Sequence, residues 1–439
     1  MLIMQPRNRR RATSRHMRLL PAAASVAVVA LLVATGCAST SNSASPASTA
    51  AAPKQVVTDP SNVQVFAGDG THFGGYSAAI NAIEQSPGSP YADQNIGCVD
   101  ARPGLSQILT CTGNDKTLTL KSVGAGGITD LTSVDVSAIP DDHTVANVAW
   151  NGPQSFLIVD SIGDIYQGAV ADGVGHESLV IGSEKTGAIQ EQLGAPAFTV
   201  FQMQPNSDSS AMYILGRTET DQGTGDTYLL SYSASTQKWS SQRTEMKSFV
   251  VAPNAIIYGA WTDQSAIPSP GRIDAFSYSS QGGLAELPDS PFGTGQWPYV
   301  TIVSGQYLLT VGSYVNSQKI ADDGSLQEVA GGQLATSSVL PNMRVVSGLP
   351  LQGGALLGLS SDADRGSLAT ITVDQAGKPA LGLHPPRAAG TGEQIMMALA
   401  SSNLDAGTLT KSGRTARVGL ADLAHKNSPA PKPSKSKKG

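Results

Sequence analysis

Seven short apolar segments with β character recur along this chain at intervals of about 50 residues, and that period constrains the fold more than any other feature. They are Ile108-Leu109-Thr110-Cys111, Phe156-Leu157-Ile158-Val159, Tyr213-Ile214-Leu215, Ile256-Ile257-Tyr258, Leu308-Leu309-Thr310-Val311, Leu356-Leu357-Gly358-Leu359 and Thr408-Leu409-Thr410. Their first residues lie 48, 57, 43, 52, 48 and 52 positions apart. After a polar turn, an alternating strand follows, as in Thr117-Leu118-Thr119-Leu120 and Ile273-Asp274-Ala275-Phe276. Before each segment stands another apolar strand, such as Ala146–Trp150 or Tyr299–Val303. Period-two alternation excludes a helical solenoid, whose apolar residues would fall at i, i+3 and i+4. Four short strands per repeat is the pattern of a propeller blade, so an all-β, seven-bladed β-propeller is expected.

A propeller must also close. Residues 394–422 read as three strands without a fourth, while 62–84 hold surplus strand in Val63-Gln64-Val65-Phe66 and Ala78-Ala79-Ile80-Asn81. An N-terminal strand is therefore expected to complete the C-terminal blade, which leaves no sheet edge bare. Eight blades would follow if both N-terminal strands belonged to an extra blade. The propeller is expected over 62–423.

Ahead of it lies a different kind of sequence. Six arginines up to Arg18 precede the apolar run Leu19–Ala34, which is too short for the roughly 20 residues that span a bilayer. Ala34-Thr35-Gly36-Cys37 follows. This order resembles an export signal ending in a bacterial lipobox, which implies a signal peptide over 1–36, lipidation of Cys37, an exported location at the cell membrane or envelope, and the membrane as a partner. Residues 37–61, rich in Ser, Ala, Thr and Pro, read as a flexible spacer, and 424–439 as a disordered Pro/Ser/Lys tail.

Between signal and tail the chain carries 18 basic against 34 acidic residues, a net charge of −16. That excess is a poor match to phosphate backbones and argues against nucleic acid as a partner. With Cys37 assigned to lipid, Cys98 and Cys111 remain as a pair on two apolar segments joined by the turn-like Ala101-Arg102-Pro103-Gly104. Adjacent antiparallel strands would bring them into a disulfide worth about 3 kcal/mol. No His or third Cys stands at ligand spacing from them, so no metal or other cofactor is expected.

The segment Arg272-Ile273-Asp274-Ala275-Phe276-Ser277, followed by Gly283-Leu284-Ala285-Glu286-Leu287-Pro288-Asp289-Ser290-Pro291-Phe292, resembles the lactonase-type seven-bladed propellers related to 6-phosphogluconolactonase and the YVTN-repeat surface proteins. The element recurs as Ile83-Glu84-Gln85-Ser86-Pro87-Gly88-Ser89-Pro90-Tyr91, and Pro90 and Pro291 lie 201 residues apart, about four repeats. The resemblance implies the fold. The lipobox-like start, the spacer and the absence of a recognisable catalytic constellation make a lipid-anchored envelope propeller acting as a binding or scaffolding module the leading expectation. The resemblance implies the alternative, an exported hydrolase of sugar lactones or related small esters.

No motif of that family transfers residue by residue, so candidates come from propeller geometry. Loops entering the innermost strands gather at one channel mouth, and here they carry Asp141, Asp142 and His143, then Gln296 and Trp297, then Asn342 and Arg344, then Arg387 and Glu393. His143 with Asp142 or Glu393 could act as a base on a lactone, and Arg344 could hold an anionic group. Trp297 and Arg387 are the ligand-binding candidates. Asp141-Asp142-His143 equally fits a polar turn after Pro140, and Trp297 beside Pro298 equally fits rim packing. The ligand itself, whether small molecule, glycan or protein, is not written in the sequence.

Overall fold

A computed structural model describes residues 63–400, except 69–72, 92–95, 104, 113–115, 125–126, 173–176, 207–208, 221–222, 234–235, 266–268, 279–282, 296, 341, 362–365, 383–386 and 389–395. The expected signal, spacer, lipidated Cys37 and basic tail fall outside these residues.

Seven antiparallel sheets follow one another around a ring, each built on an up-and-down meander of four strands, and three of them carry a short fifth strand on the third. The innermost strands of blades 1 to 6 are Ile96–Ala101, Val145–Trp150, Ala197–Pro205, Ser248–Val251, Val300–Ser304 and Met343–Leu351. Six of the recurring apolar segments form the second strand of these blades. The seventh, Thr408-Leu409-Thr410, lies outside the described residues.

Blade 7 is drawn from both ends of the described chain. Met396–Ala400 takes the innermost place and pairs antiparallel with Val63–Gly68, from Gln64 opposite Ala400 to Gly68 opposite Met396. Phe73–Ala79 and Ala82–Gln85 continue outward. Three strands thus come from the N-terminal side and one from the C-terminal side, the reverse of the expected proportions. Two local features conceal this arrangement in the sequence. Ile80 and Asn81 form the turn rather than a strand end. Gly74 and Gly75 interrupt the apolar pattern because aromatic side chains cover them; a Cβ on Gly75 would lie 2.4 Å from the Tyr91 hydroxyl.

The core is divided into seven layers, one between each pair of neighbouring blades. This follows from strand alternation, since successive side chains point to opposite faces and each face meets a different blade. On the innermost strand of blade 3, Val200 and Met203 pack toward blade 2 while Phe201 packs toward blade 4. The layer between blades 1 and 2 contains the Cys98–Cys111 disulfide, which links two directly paired residues with Cα atoms 5.1 Å apart.

Polar side chains stitch the blades together as well. Asp100 Oδ2 of blade 1 accepts the Trp150 N–H of blade 2 at 2.8 Å. Gln202 of blade 3 donates to the Phe249 carbonyl at 2.7 Å and accepts the Phe249 N–H at 3.0 Å. Arg102 is wholly buried; it donates to the Pro153 carbonyl at 2.6 Å and to Gln154 Oε1 at 2.8 Å, and its guanidinium lies 5.4 Å from the Trp150 ring centre.

The recurring Ser-Pro element folds the same way in blades 4 and 7. After a short outer strand, Leu287 N–H and Ser86 N–H donate to the Ala275 and Gly75 carbonyls of the third strand. Ser290 Oγ then accepts the Ala275 N–H at 3.1 Å, and Ser89 Oγ accepts the Gly75 N–H at 3.0 Å. A cis Ser-Pro peptide follows in each, and Phe292 or Tyr91 rejoins the third strand. The serine hydroxyl thus replaces a missing ladder partner where the outer strand is interrupted, a bond worth about 1 kcal/mol.

Candidate functional site

In a four-stranded meander, the connection into each innermost strand and the turn between the second and third strands lie at the same end of the ring. The candidate residues that are described therefore share one face of the propeller, but they fall into separate groups.

The first group sits on blade 2. Pro140 O accepts the His143 N–H at 3.0 Å, so Asp141-Asp142-His143 does form the polar turn. From that turn His143 Nδ1 meets the buried Asp160 Oδ2 at 2.9 Å, while the exposed Asp142 is 3.7 Å from Nε2. Asp160 Oδ1 accepts the N–H groups of Ile162, Gly163 and Asp164 at 3.1, 3.0 and 2.8 Å. Asp164 Oδ1 takes Gln190 Nε2 at 2.6 Å and Lys185 Nζ at 3.2 Å. His143, Asp160 and Asp164 bring metal-ligating atoms within 4.8 Å of one another, yet these oxygens already serve backbone and side-chain donors. Burial and the charges of Asp160 and Asp164 push the nearby Tyr166 hydroxyl up to about 12. The group acts as a clamp that ties the blade 1–2 connection to the turn after Asp160, with His143 as its strut.

Arg344, Asn342 and Trp297 come together elsewhere, in a cleft of about 540 Å³ between blades 5 and 6. Tyr299, Tyr314, Ser313, Thr336 and Ser337 add aromatic faces and hydroxyls, and Leu340 and Val345 add apolar surface. Local backbone chemistry builds it. Thr336 opens a single helical turn, Thr336–Val339; its N–H donates to the Ser313 carbonyl at 3.0 Å and its hydroxyl to the Gly312 carbonyl at 2.8 Å. Gly312 is required there, because any Cβ would lie 1.7 Å from the Trp297 carbonyl oxygen.

Trp297 and Asn342 both hold left-handed backbone, with φ of 54° and 59°. Asparagine tolerates this region, whereas for a bulky side chain it costs on the order of 1–3 kcal/mol. Trp297, lining the cleft, marks a place where geometry is kept at some expense to stability.

Gln296 and Glu393 lie outside the described residues. For Arg387 only the backbone is described, in the two-residue strand Arg387–Ala388 paired with Ser367 and Leu368. Tyr299, Tyr314, Thr336 and Ser337 escaped the sequence reading. The turn Gly312-Ser313, directly after a recurring segment, was the available signal for Tyr314 and its neighbours.

Fold and cleft together define a seven-bladed β-propeller with a recess beside its channel mouth. No protein-family model and no curated protein matches the chain. Solved structures do match. A periplasmic gluconolactonase of Pseudomonas aeruginosa is 12% identical, with a TM-score of 0.50 over 78% of this chain and 100% of its own. A proposed 6-phosphogluconolactonase of Bacteroides fragilis is 11% identical, with a TM-score of 0.50 over 77% and 98%. A hypothetical selenium-binding protein of Sulfolobus tokodaii is 8% identical, with a TM-score of 0.52 over 79% and 95%. The expected likeness to lactonase-type propellers is thus found at the level of fold. Identities this low carry the fold and none of the chemistry.

Proposed function

We propose that this protein is a lipid-anchored envelope propeller that binds a saccharide-like ligand in the cleft between blades 5 and 6. The observation that carries this reading is the composition of that cleft. Trp297, Tyr299 and Tyr314 offer aromatic surface for the C–H face of a sugar, Arg344 an anion partner, and Asn342, Ser313, Thr336 and Ser337 directional hydrogen bonds. Its described lining holds no carboxylate, imidazole or thiol, and lactone opening needs such a base within reach of the attacking water.

The second reading, a hydrolase of sugar lactones or small esters, is favoured by the names of two structural neighbours, with Glu393 as its candidate base. Hydrolysis of glucono-δ-lactone followed by pH-stat separates the two. We expect the rate with protein to equal the buffer rate. Saturable turnover that Glu393→Gln abolishes would establish the hydrolase instead.

Export and anchoring through Cys37 are supported by the lipobox-like start and by a disulfide of the kind oxidising compartments sustain. No helix among the described residues is long and apolar enough to cross a membrane. Cys37→Ala is expected to move the protein from the membrane fraction to the soluble one. Equal membrane amounts for variant and parent would refute the anchor. The net charge of −16 over residues 37–423 supports a partner other than nucleic acid.

A further inference from the structure

Asp274 is a buried carboxylate that takes no part in the mouth cleft between blades 5 and 6. It stands on the third strand of blade 4, Gly271–Tyr278, with 9% of its surface exposed. Strand alternation turns it, with Phe276, toward blade 3, while Ile273 and Ala275 pack toward blade 5. Its two oxygens join blades 3 and 4. Oδ2 accepts the hydroxyl of Thr244, the last residue of blade 3's outer strand, at 2.6 Å. Oδ1 accepts the indole N–H of Trp261, on blade 4's second strand, at 2.7 Å. Thr244 Oγ in turn accepts the Met246 N–H at 3.2 Å, which extends the link into the connection between the blades.

Both donors are neutral, and no cation offsets the charge. The arginines of the surrounding segments are engaged elsewhere: Arg272 lies 4.0 Å from Asp263, Arg217 3.4 Å from Glu219 and Arg243 2.8 Å from Asp226. Among the described residues no basic side chain, Lys247 of the connection into blade 4 included, forms an ion pair with Asp274. The charges that act on it are those of Glu286, on the outer strand of blade 4, and Glu245, beside Thr244, and both repel. Taking a carboxylate out of water without an opposite charge is unfavourable, so the ionised form of Asp274 is a cost to the folded chain.

We propose that Asp274 is a proton-operated latch between blades 3 and 4, which holds them more firmly in acid than at neutral pH. Protonation removes the buried charge and keeps both links. Oδ1 still takes the Trp261 N–H, and the new O–H turns to Thr244 Oγ, since a hydroxyl accepts as well as donates. Burial, the largest influence, and the repulsion from Glu286 and Glu245 push the carboxyl above its ordinary value of 3.8, against the pull of its two hydrogen bonds. The folded chain thus binds this proton more tightly than the unfolded chain. The stability gained is complete below the ordinary value and is lost as the pH rises through the raised one, the reverse of a carboxylate paired with a cation.

Calorimetric melting of the full chain between about pH 4 and pH 7.5, for the parent and for Asp274→Asn, tests the latch. Asparagine has the shape of the protonated acid, with an oxygen for Trp261 and an amide N–H for Thr244 Oγ. The variant should melt about 1–3 °C above the parent at pH 7.5, and the difference should shrink toward zero at the acid end. A difference that does not change with pH, or a variant that melts below the parent at pH 7.5, overturns the proposal. Carbon NMR of the parent, labelled at its aspartate carboxyls, reads the same group without relying on that variant. One resonance should titrate above the ordinary aspartate range, and Thr244→Val, which removes a stabilising donor, should move it further up. No resonance titrating there, or one that Thr244→Val leaves in place, overturns the latch as well.

Discussion

Removing residues 63–85 should abolish cooperative folding. The deletion takes away three of the four strands of blade 7 and leaves Met396–Ala400 without its ladder partner. It also strips one wall from two core layers. Val65, Ala67, Tyr76, Ala78 and Ile83 cover the leucines of blade 6, and Phe66 and Phe73 cover Ile96, Val99 and Ile108 of blade 1. Newly bared apolar faces and unpaired strand edges favour aggregation. Calorimetry on the truncated chain should show no sharp transition, with the protein in large species by size exclusion. A truncated chain that melts as the parent does would disprove closure through this blade.

Trp150→Ala should be the most damaging single substitution outside the closing blade. Trp150 is fully buried on the innermost strand of blade 2, with Phe156 packed edge-on at 5.3 Å and the Arg102 guanidinium 5.4 Å from its ring. Truncating a buried tryptophan costs about 3–5 kcal/mol, and here it also removes the surface on which a buried cation lies. For a domain of this size that loss lowers the melting temperature by roughly 5 °C. The His143 clamp provides the contrast, since its strut is partly exposed and its partner Asp160 keeps three backbone donors. A Trp150→Ala protein that melts with the parent would show that the inter-blade layers do not carry stability as described.

Much of the fold was legible because a propeller is a periodic object. The recurring segments are second strands, their spacing is one blade, and Cys98 and Cys111 met because consecutive strands in a blade are antiparallel neighbours. Blade 7 was harder to read, since its second N-terminal strand contains glycines dictated by the ring of Tyr76 on the same strand and by that of Tyr91, which lies outside it.

The site was legible only in part, for a related reason. The loops before each innermost strand include Trp297, Asn342 and Arg344, which line one cleft. The same set of loops also carries Asp142 and His143, which belong to a clamp on blade 2. Sequence places a loop at the mouth but does not say which blade interface opens into a cleft. That depends on the left-handed backbone at Trp297 and Asn342 and on the Thr336 turn. In the outer strand of blade 5, Leu326–Ala335, the pair Gly331-Gly332 was the visible trace of a bulge that sets four residues, 329–332, opposite Ser317 alone.

Trp297 gives the binding account its most direct test, because the chain has four tryptophans and it alone lines the mouth cleft. Intrinsic fluorescence should be followed while the protein is titrated with a series of soluble neutral and acidic saccharides, in parallel for the parent and for Trp297→Phe. The account predicts a saturable change in the parent that is missing from the variant. A saturable change of the same size in Trp297→Phe would place the ligand elsewhere and contradict the site.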